Sequence, residues 1–84
     1  MEVRWQPKAL KQLKKLGNQQ AKARILKKTR ELAGFPSVAG IKALTNHECQ
    51  YRLRVRDYRV LFNVLESIEV IRIEAVKKRD EQTY

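Results

Sequence analysis

The sequence has one cysteine, Cys49, so no internal disulfide can form and no thiolate cluster can hold zinc. Glycine and proline are scarce, three and two among 84 residues, which sets the chain apart from linkers and disordered tails. Its longest unbroken apolar run is Val60-Leu61-Phe62, far short of the roughly 20 residues a membrane-spanning helix needs. Met1-Glu2-Val3-Arg4-Trp5 offers no apolar stretch ahead of a small-residue cleavage site, so no secretory signal is visible and a cytoplasmic location is expected. There is no glycine-rich phosphate loop, no Cys-x-x-Cys pair and no carboxylate pair at metal-clamp spacing, so neither metal nor cofactor is expected. His47, the single histidine, lies in the polar stretch Thr45-Asn46-His47-Glu48 and reads as a turn residue, and Cys49 as a small core or turn residue, since nothing pairs it with a base.

What is present is charge. A chain 43% hydrophobic and 33% charged is composed like a folded domain, and 84 residues suffice for one, spanning 1–84. Nineteen Lys and Arg against nine Asp and Glu leave +10, which calls for a polyanionic partner. Nucleic acid leads; an anionic membrane surface, an acidic protein or a merely well-solvated basic domain stay open on charge alone. Residues 1–33 carry ten basic groups against two acids, mostly lysine, whereas arginine is concentrated in Tyr51-Arg52-Leu53-Arg54-Val55-Arg56-Asp57-Tyr58-Arg59. A lysine is a mobile point charge, while the rigid guanidinium fork suits aimed contact with phosphate oxygens. The first region therefore reads as general attraction and the second as the site.

Leu10, Leu13 and Leu16 recur at three-residue steps between Pro7 and Leu16, among Lys and Gln, predicting an amphipathic helix with Pro7 in its first turn and Gly17 past its end. A second helix is expected from Asn18 to Ala33, with Ala21, Ile25, Leu26, Thr29, Leu32 and Ala33 on one face. After Pro36 and Gly40 the period drops to two. Tyr51, Leu53 and Val55 alternate with Arg52, Arg54 and Arg56; Tyr58, Val60, Phe62 and Val64 with Arg59, Leu61, Asn63 and Leu65; and Ile71, Ile73 and Ala75 with Val70, Arg72 and Glu74. Val3–Gln6 and Ile41–Leu44 are candidate further strands. The expected class is α+β: an N-terminal antiparallel helical hairpin packed on a three- to four-stranded, mostly antiparallel sheet, with the opposite sheet face left to solvent and arginine.

The remaining chemistry lies in that arginine-rich strand and the basic, aromatic end Lys77-Lys78-Arg79-Asp80-Glu81-Gln82-Thr83-Tyr84. Either this is a solvated face with a frayed tail, or it is an RNA site in which guanidinium groups hold a phosphate and Tyr84 stacks on a base. RNA supplies its own nucleophile, the 2′-hydroxyl, so cleavage needs in-line placement, stabilisation of the pentavalent transition state and proton transfers. Arginines suit the charge stabilisation and poorly suit the proton transfers.

The order of features resembles the RelE branch of the RelE/ParE superfamily, toxins of type II toxin–antitoxin modules. The similarity covers nearly the whole chain, through Ala9-Leu10-Lys11, Lys15-Leu16-Gly17, Lys42-Ala43-Leu44, Tyr51–Arg56, Tyr58–Phe62, Lys78-Arg79 and Tyr84. The resemblance implies a RelE-like fold and a metal-independent endoribonuclease that enters the A site of the 30S ribosomal subunit and cuts mRNA there by 2′-hydroxyl attack. It also implies a cognate antitoxin, and no membrane partner. By position, Arg52 and Arg54 would activate the nucleophile and bind phosphate, Arg59 would stabilise the transition state, Arg79 would protonate the leaving oxygen and Tyr84 would orient the base. Arg56, Lys77 and Lys78 would contact RNA, as would the helix residues Lys11, Lys14, Lys15, Lys22, Lys27 and Lys28. The best-known members carry lysine where this chain has Arg52 and Arg54. The sister branch, ParE, poisons DNA gyrase and usually lacks this basic set, so a gyrase inhibitor or a non-catalytic RNA-binding domain are the alternatives.

Overall fold

A computed structural model describes residues 1–79. The chain runs β1 (Glu2–Trp5), α1 (Pro7–Lys14), α2 (Gln19–Glu31), β2 (Ile41–Ala43), β3 (Tyr51–Val55), β4 (Tyr58–Leu65) and β5 (Val70–Lys78), with single 3-10 turns at Leu32–Gly34 and Glu66–Ile68. Among the described residues the strands form one five-stranded sheet in the order β1-β5-β4-β3-β2. It is mixed: β1 runs parallel to β5, while β2, β3, β4 and β5 are joined antiparallel. This enlarges the expected three- to four-stranded sheet, and the parallel pair places the first and last strands side by side. None of the described helices is long and apolar enough to cross a membrane.

The helices start where their capping residues dictate. Pro7 occupies the first turn of α1, and the Asn18 side chain accepts a hydrogen bond from the Ala21 N–H at 3.1 Å to open α2. Both stop earlier than the leucine spacing suggests, α1 at Lys14 and α2 at Glu31. They are consecutive, as a helical hairpin requires, but their main packing is to the sheet: α1 lies along β5 and α2 over β3. The stripe α1 buries is Ala9 and Leu13; Leu10, counted with the core by spacing, is 37% exposed. Between the helices and the sheet Ile25, Leu32, Leu53, Val60, Phe62, Ile71 and Ile73 lose essentially all contact with water.

Two local devices set which side chains reach the opposite face. Cα pairing between β4 and β5 passes from Phe62↔Ile73 to Leu61↔Ala75, so Glu74 is an extra residue, a β-bulge. Strict alternation from Ile71 would turn Lys77 under the helices; the bulge instead sends Val76 to the core and turns Ala75 and Lys77 to the other side. Beyond Trp5 the β1 edge ends, and the Gln12 side chain takes its place, its Oε1 accepting from the Val76 N–H at 2.7 Å. The second device is Gly40, at φ 87°, whose carbonyl accepts from the Arg54 N–H at 2.9 Å. A β-carbon there would lie 3.3 Å from the Arg54 carbonyl oxygen, in a backbone conformation that L-residues avoid. Gly40→Ala should therefore cost about 1–3 kcal/mol, lowering the melting temperature by roughly 4–8 °C per kcal/mol in a domain of this size, which differential scanning fluorimetry would read.

Candidate nucleic-acid interface

Cross-strand pairing assembles the basic side chains. Arg54 pairs with Arg59 across β3 and β4, and Arg59 with Lys77 across β4 and β5. Neighbouring strands lie about 4.8 Å apart, so three cationic residues span roughly 10 Å on the face away from the helices. Arg52 lies in the next row with Lys42 on one side and Leu61 on the other. Like charges set directly opposite one another destabilise a sheet. No carboxylate among the described residues pairs with Arg52, Arg54 or Arg59; Glu2 is taken by Arg4, Glu31 by Lys28 and Glu74 by Arg72.

Arg59 is half-buried, and its Nη1 donates to the carbonyl oxygens of Tyr58 at 3.1 Å and Arg56 at 3.2 Å. Carbonyls fix the guanidinium without neutralising it, and leave the Nε and Nη2 donors for an anion. The Arg79 N–H donates to the Asp57 carbonyl at 2.6 Å, so the end of β5 and the Arg59 side chain both brace the Arg56-Asp57 turn. Exposed Arg79 therefore begins beside the row, whereas Tyr84 lies outside the described residues.

Arg56 does not continue the alternation of Arg52 and Arg54. It sits in the turn at φ 53°, and with Lys78, Arg24 and Tyr58 it lines a separate pocket of about 280 Å³ at the start of α2. The helix lysines divide as well. Lys11 and Lys15, with Lys8, line a groove of about 420 Å³ along α1. Lys14 is exposed elsewhere on α1, and Lys22, Lys27 and Lys28 belong to α2, which packs on the side of the sheet opposite Arg54. They are not brought to the row, and Lys28 is 3.5 Å from Glu31.

The face is less open than the strand pattern suggests. The segment from Leu44 to Gln50 folds back over it, and Cys49, Leu61 and Ala75 form a second small buried cluster with Leu44 packed against it. Leu44 N–H bonds to the Gln50 carbonyl at 2.8 Å, and Gln50 Oε1 accepts from Val64 N–H at 2.7 Å, closing the loop onto β4. Within it the His47 Nδ1 accepts from the Cys49 N–H at 2.9 Å. That bond ties the His47 ring to the backbone of the turn it is expected to occupy. Burial first, then the Glu74 and Glu48 carboxylates, push the Cys49 thiol above its ordinary range, so it stays protonated at neutral pH, as a packing residue and not a nucleophile does.

Between this loop, β4, β5 and the start of α1 lies a cleft of about 650 Å³, and Lys77 stands on both its border and the cationic row. Pro7 and Lys8 line this cleft and the α1 groove alike, so the two adjoin. Asn63, Arg72 and Glu74 form its polar wall, residues that sequence spacing does not single out. They meet only through the β4–β5 register, which no local pattern encodes.

Residues 3–83 match the family model described as the ParE toxin of the type II toxin–antitoxin system, parDE. The fold is shared with a chain of the toxin–antitoxin complex RelBE2 from Mycobacterium tuberculosis, at 23% identity, covering 93% of this chain and 96% of that one, with a TM-score of 0.79. It is shared with the isolated RelE toxin of E. coli at 24% identity, over 96% and 86% of the two chains, with a TM-score of 0.77. The archaeal RelE–RelB complex from Pyrococcus horikoshii contains a chain 25% identical, over 95% and 96%, with a TM-score of 0.71. No protein of curated function matches by sequence alone.

Proposed function

Because the chain belongs to the ParE toxin family of type II toxin–antitoxin systems, within the RelE/ParE superfamily, and carries a RelE-like fold, we propose that it acts as a ribosome-dependent endoribonuclease. It cuts mRNA in the A site of the 30S subunit by attack of a 2′-hydroxyl on the adjacent phosphate. The observation that carries this reading is the row Arg54–Arg59–Lys77, three cationic residues aligned across three strands on a face without helices. Such a row suits a pentavalent phosphorane, whose extra negative charge the ground-state phosphodiester lacks, so its attraction is greater in the transition state.

The parts then take distinct roles. Arg59, already braced by two carbonyls, holds the transition-state phosphate; Arg54 and Arg52 bind the flanking phosphate oxygens, and Arg79 offsets the charge on the leaving 5′-oxygen, which takes its proton from water as the 2′,3′-cyclic phosphate forms. The guanidinium groups do not release protons, so removal of the 2′ proton falls to Lys77, the one amine of the row, or to a group of the ribosome. Tyr84 would stack on the base. A cognate antitoxin is the expected protein partner, and Lys8, Lys11 and Lys15 would guide the RNA along α1.

One observation favours a second reading. The matching family model is that of ParE, so a gyrase poison is the alternative. Mapping mRNA 5′ ends by primer extension after brief induction separates the two. The nuclease reading expects new 5′-hydroxyl ends within codons of translated messages and little cutting of free RNA. Intact messages accompanied by gyrase-linked breaks in DNA would overturn it.

A further inference from the structure

Lys77 stands on a stretch of β5 that has a strand on one side only. The β1–β5 pairing runs as far as Trp5↔Ile73 and closes with the Gln6 N–H donating to the Ile73 carbonyl at 3.0 Å. Pro7 follows. It has no N–H to add to the ladder, and its fixed φ starts α1 instead. From Glu74 onward, among the described residues, β4 is the only strand bordering β5. The same stretch holds the bulge, which disrupts the ladder around it.

Gln12 supplies the missing edge. It lies three residues after Ala9 and one before Leu13, on the flank of the stripe that α1 packs on β5. Its half-buried side chain reaches back to the strand, where Oε1 accepts from the Val76 N–H at 2.7 Å. An N–H can only donate, so the amide oxygen must face Val76. Val76 is buried, and solvent offers little to replace the glutamine. Successive backbone N–H groups point to opposite sides of a strand. With that of Val76 turned to Gln12, that of Lys77 turns to its partner Arg59 on β4, so fixing one aims the other.

The geometry points to Gln12 as a positioning residue, one that holds Lys77 in line with Arg59 and Arg54 through the backbone of Val76. The assignment rests on the endonuclease reading for its chemical consequence, since a misplacement of about 1 Å can cost about 100-fold in rate. Gln12 also lines the α1 groove with Lys8, Lys11 and Lys15. The helix that would guide RNA is therefore the one that fixes the end of the strand carrying Lys77.

Two variants separate the hydrogen bond from the packing. Gln12→Met keeps the side-chain length and the helix propensity but offers only a weak sulfur acceptor, whereas Gln12→Glu keeps an oxygen for Val76. Amide hydrogen exchange, followed by NMR on the intact free protein, reads the register. In Gln12→Met the amides of Val76 and Lys77 should exchange about ten-fold faster, the scale of one lost hydrogen bond. Ile71 and Ile73, which pair with β1, should keep their wild-type rates, and Gln12→Glu should restore Val76 and Lys77. On translating ribosomes at saturating toxin, Gln12→Met should cut about ten-fold more slowly, with an unchanged half-saturating concentration. Gln12→Glu sets a negative charge among three lysines, so it should cut at the wild-type rate but need more protein to saturate. Faster exchange at Val76 with Lys77 unmoved overturns the positioning role. A uniform acceleration along β5 does the same, because it makes Gln12 a general contributor to stability, and so does wild-type cutting by Gln12→Met. A wild-type protein that cuts no message removes the nuclease, while the exchange rates still decide whether Gln12 sets the register of Lys77.

Discussion

Arg59→Ala should reduce mRNA cutting on ribosomes by about 10²–10³-fold, the effect of deleting one preorganised donor aimed at a transition-state anion. The expectation depends on what holds the side chain. Two main-chain carbonyls orient the guanidinium, and no carboxylate among the described residues competes for its charge. Removing it breaks two hydrogen bonds but also takes one cation from between Arg54 and Lys77, and these opposed effects should leave stability within roughly 0.5 kcal/mol of wild type, as at most partly exposed positions. Arg59→Lys should fall between, because an ammonium restores charge without the planar fork. Primer extension on translated message, with a melting curve for each variant, measures both. Full cutting by a folded Arg59→Ala protein would remove Arg59 from the site.

Phe62→Ala should destabilise the fold by about 3–5 kcal/mol, the usual cost of emptying a buried aromatic position. Phe62 is wholly inaccessible to water. Its ring stacks on Tyr51 with centroids 5.4 Å apart and an interplanar angle of 20°, and it meets Phe35 edge-on at 6.1 Å. Phe35 closes the triangle on Tyr51 at 5.3 Å, so one truncation strips packing from two other rings. Single domains hold only about 5–15 kcal/mol in total, and small ones lie toward the lower end. Urea denaturation should show a midpoint shifted far toward zero, with a substantial unfolded fraction at 37 °C. The loss of toxicity that follows would come from missing folded protein, unlike that of Arg59→Ala.

The sequence makes some of this legible and hides the rest for physical reasons. The helices and β3 to β5 follow from hydrophobic period, because each element has one dry and one wet face. Arg54 and Arg59 can be assigned to the wet face from alternation alone. Lys77 cannot: from Ile71 through Ala75 the pattern looks regular, and the residue that breaks it, Glu74, is polar on either reading. The β1–β5 pairing joins residues nearly the whole chain apart, a contact that carries no local signal. The Leu44–Gln50 segment reads as a polar turn, and it is one, but Leu44 and Cys49 at its ends draw it down over Leu61 and Ala75. The α2 lysines, read from charge as general attraction apart from the arginine site, lie on the other side of the sheet from it, where the packing of Ile25 and Thr29 puts them.

The β5 bulge separates two kinds of genetic change. Deleting Glu74 would close the ladder directly from Ile73 to Ala75 and leave Ala75, Val76 and Lys77 on the faces they now occupy. A loss of one codon there would therefore cost the cleft one carboxylate while sparing the scaffold, whereas the same loss two positions later would reverse the inside and outside of the strand's end. Along this stretch, tolerance to deletion should switch from one residue to the next, an asymmetry invisible to any library built from substitutions alone.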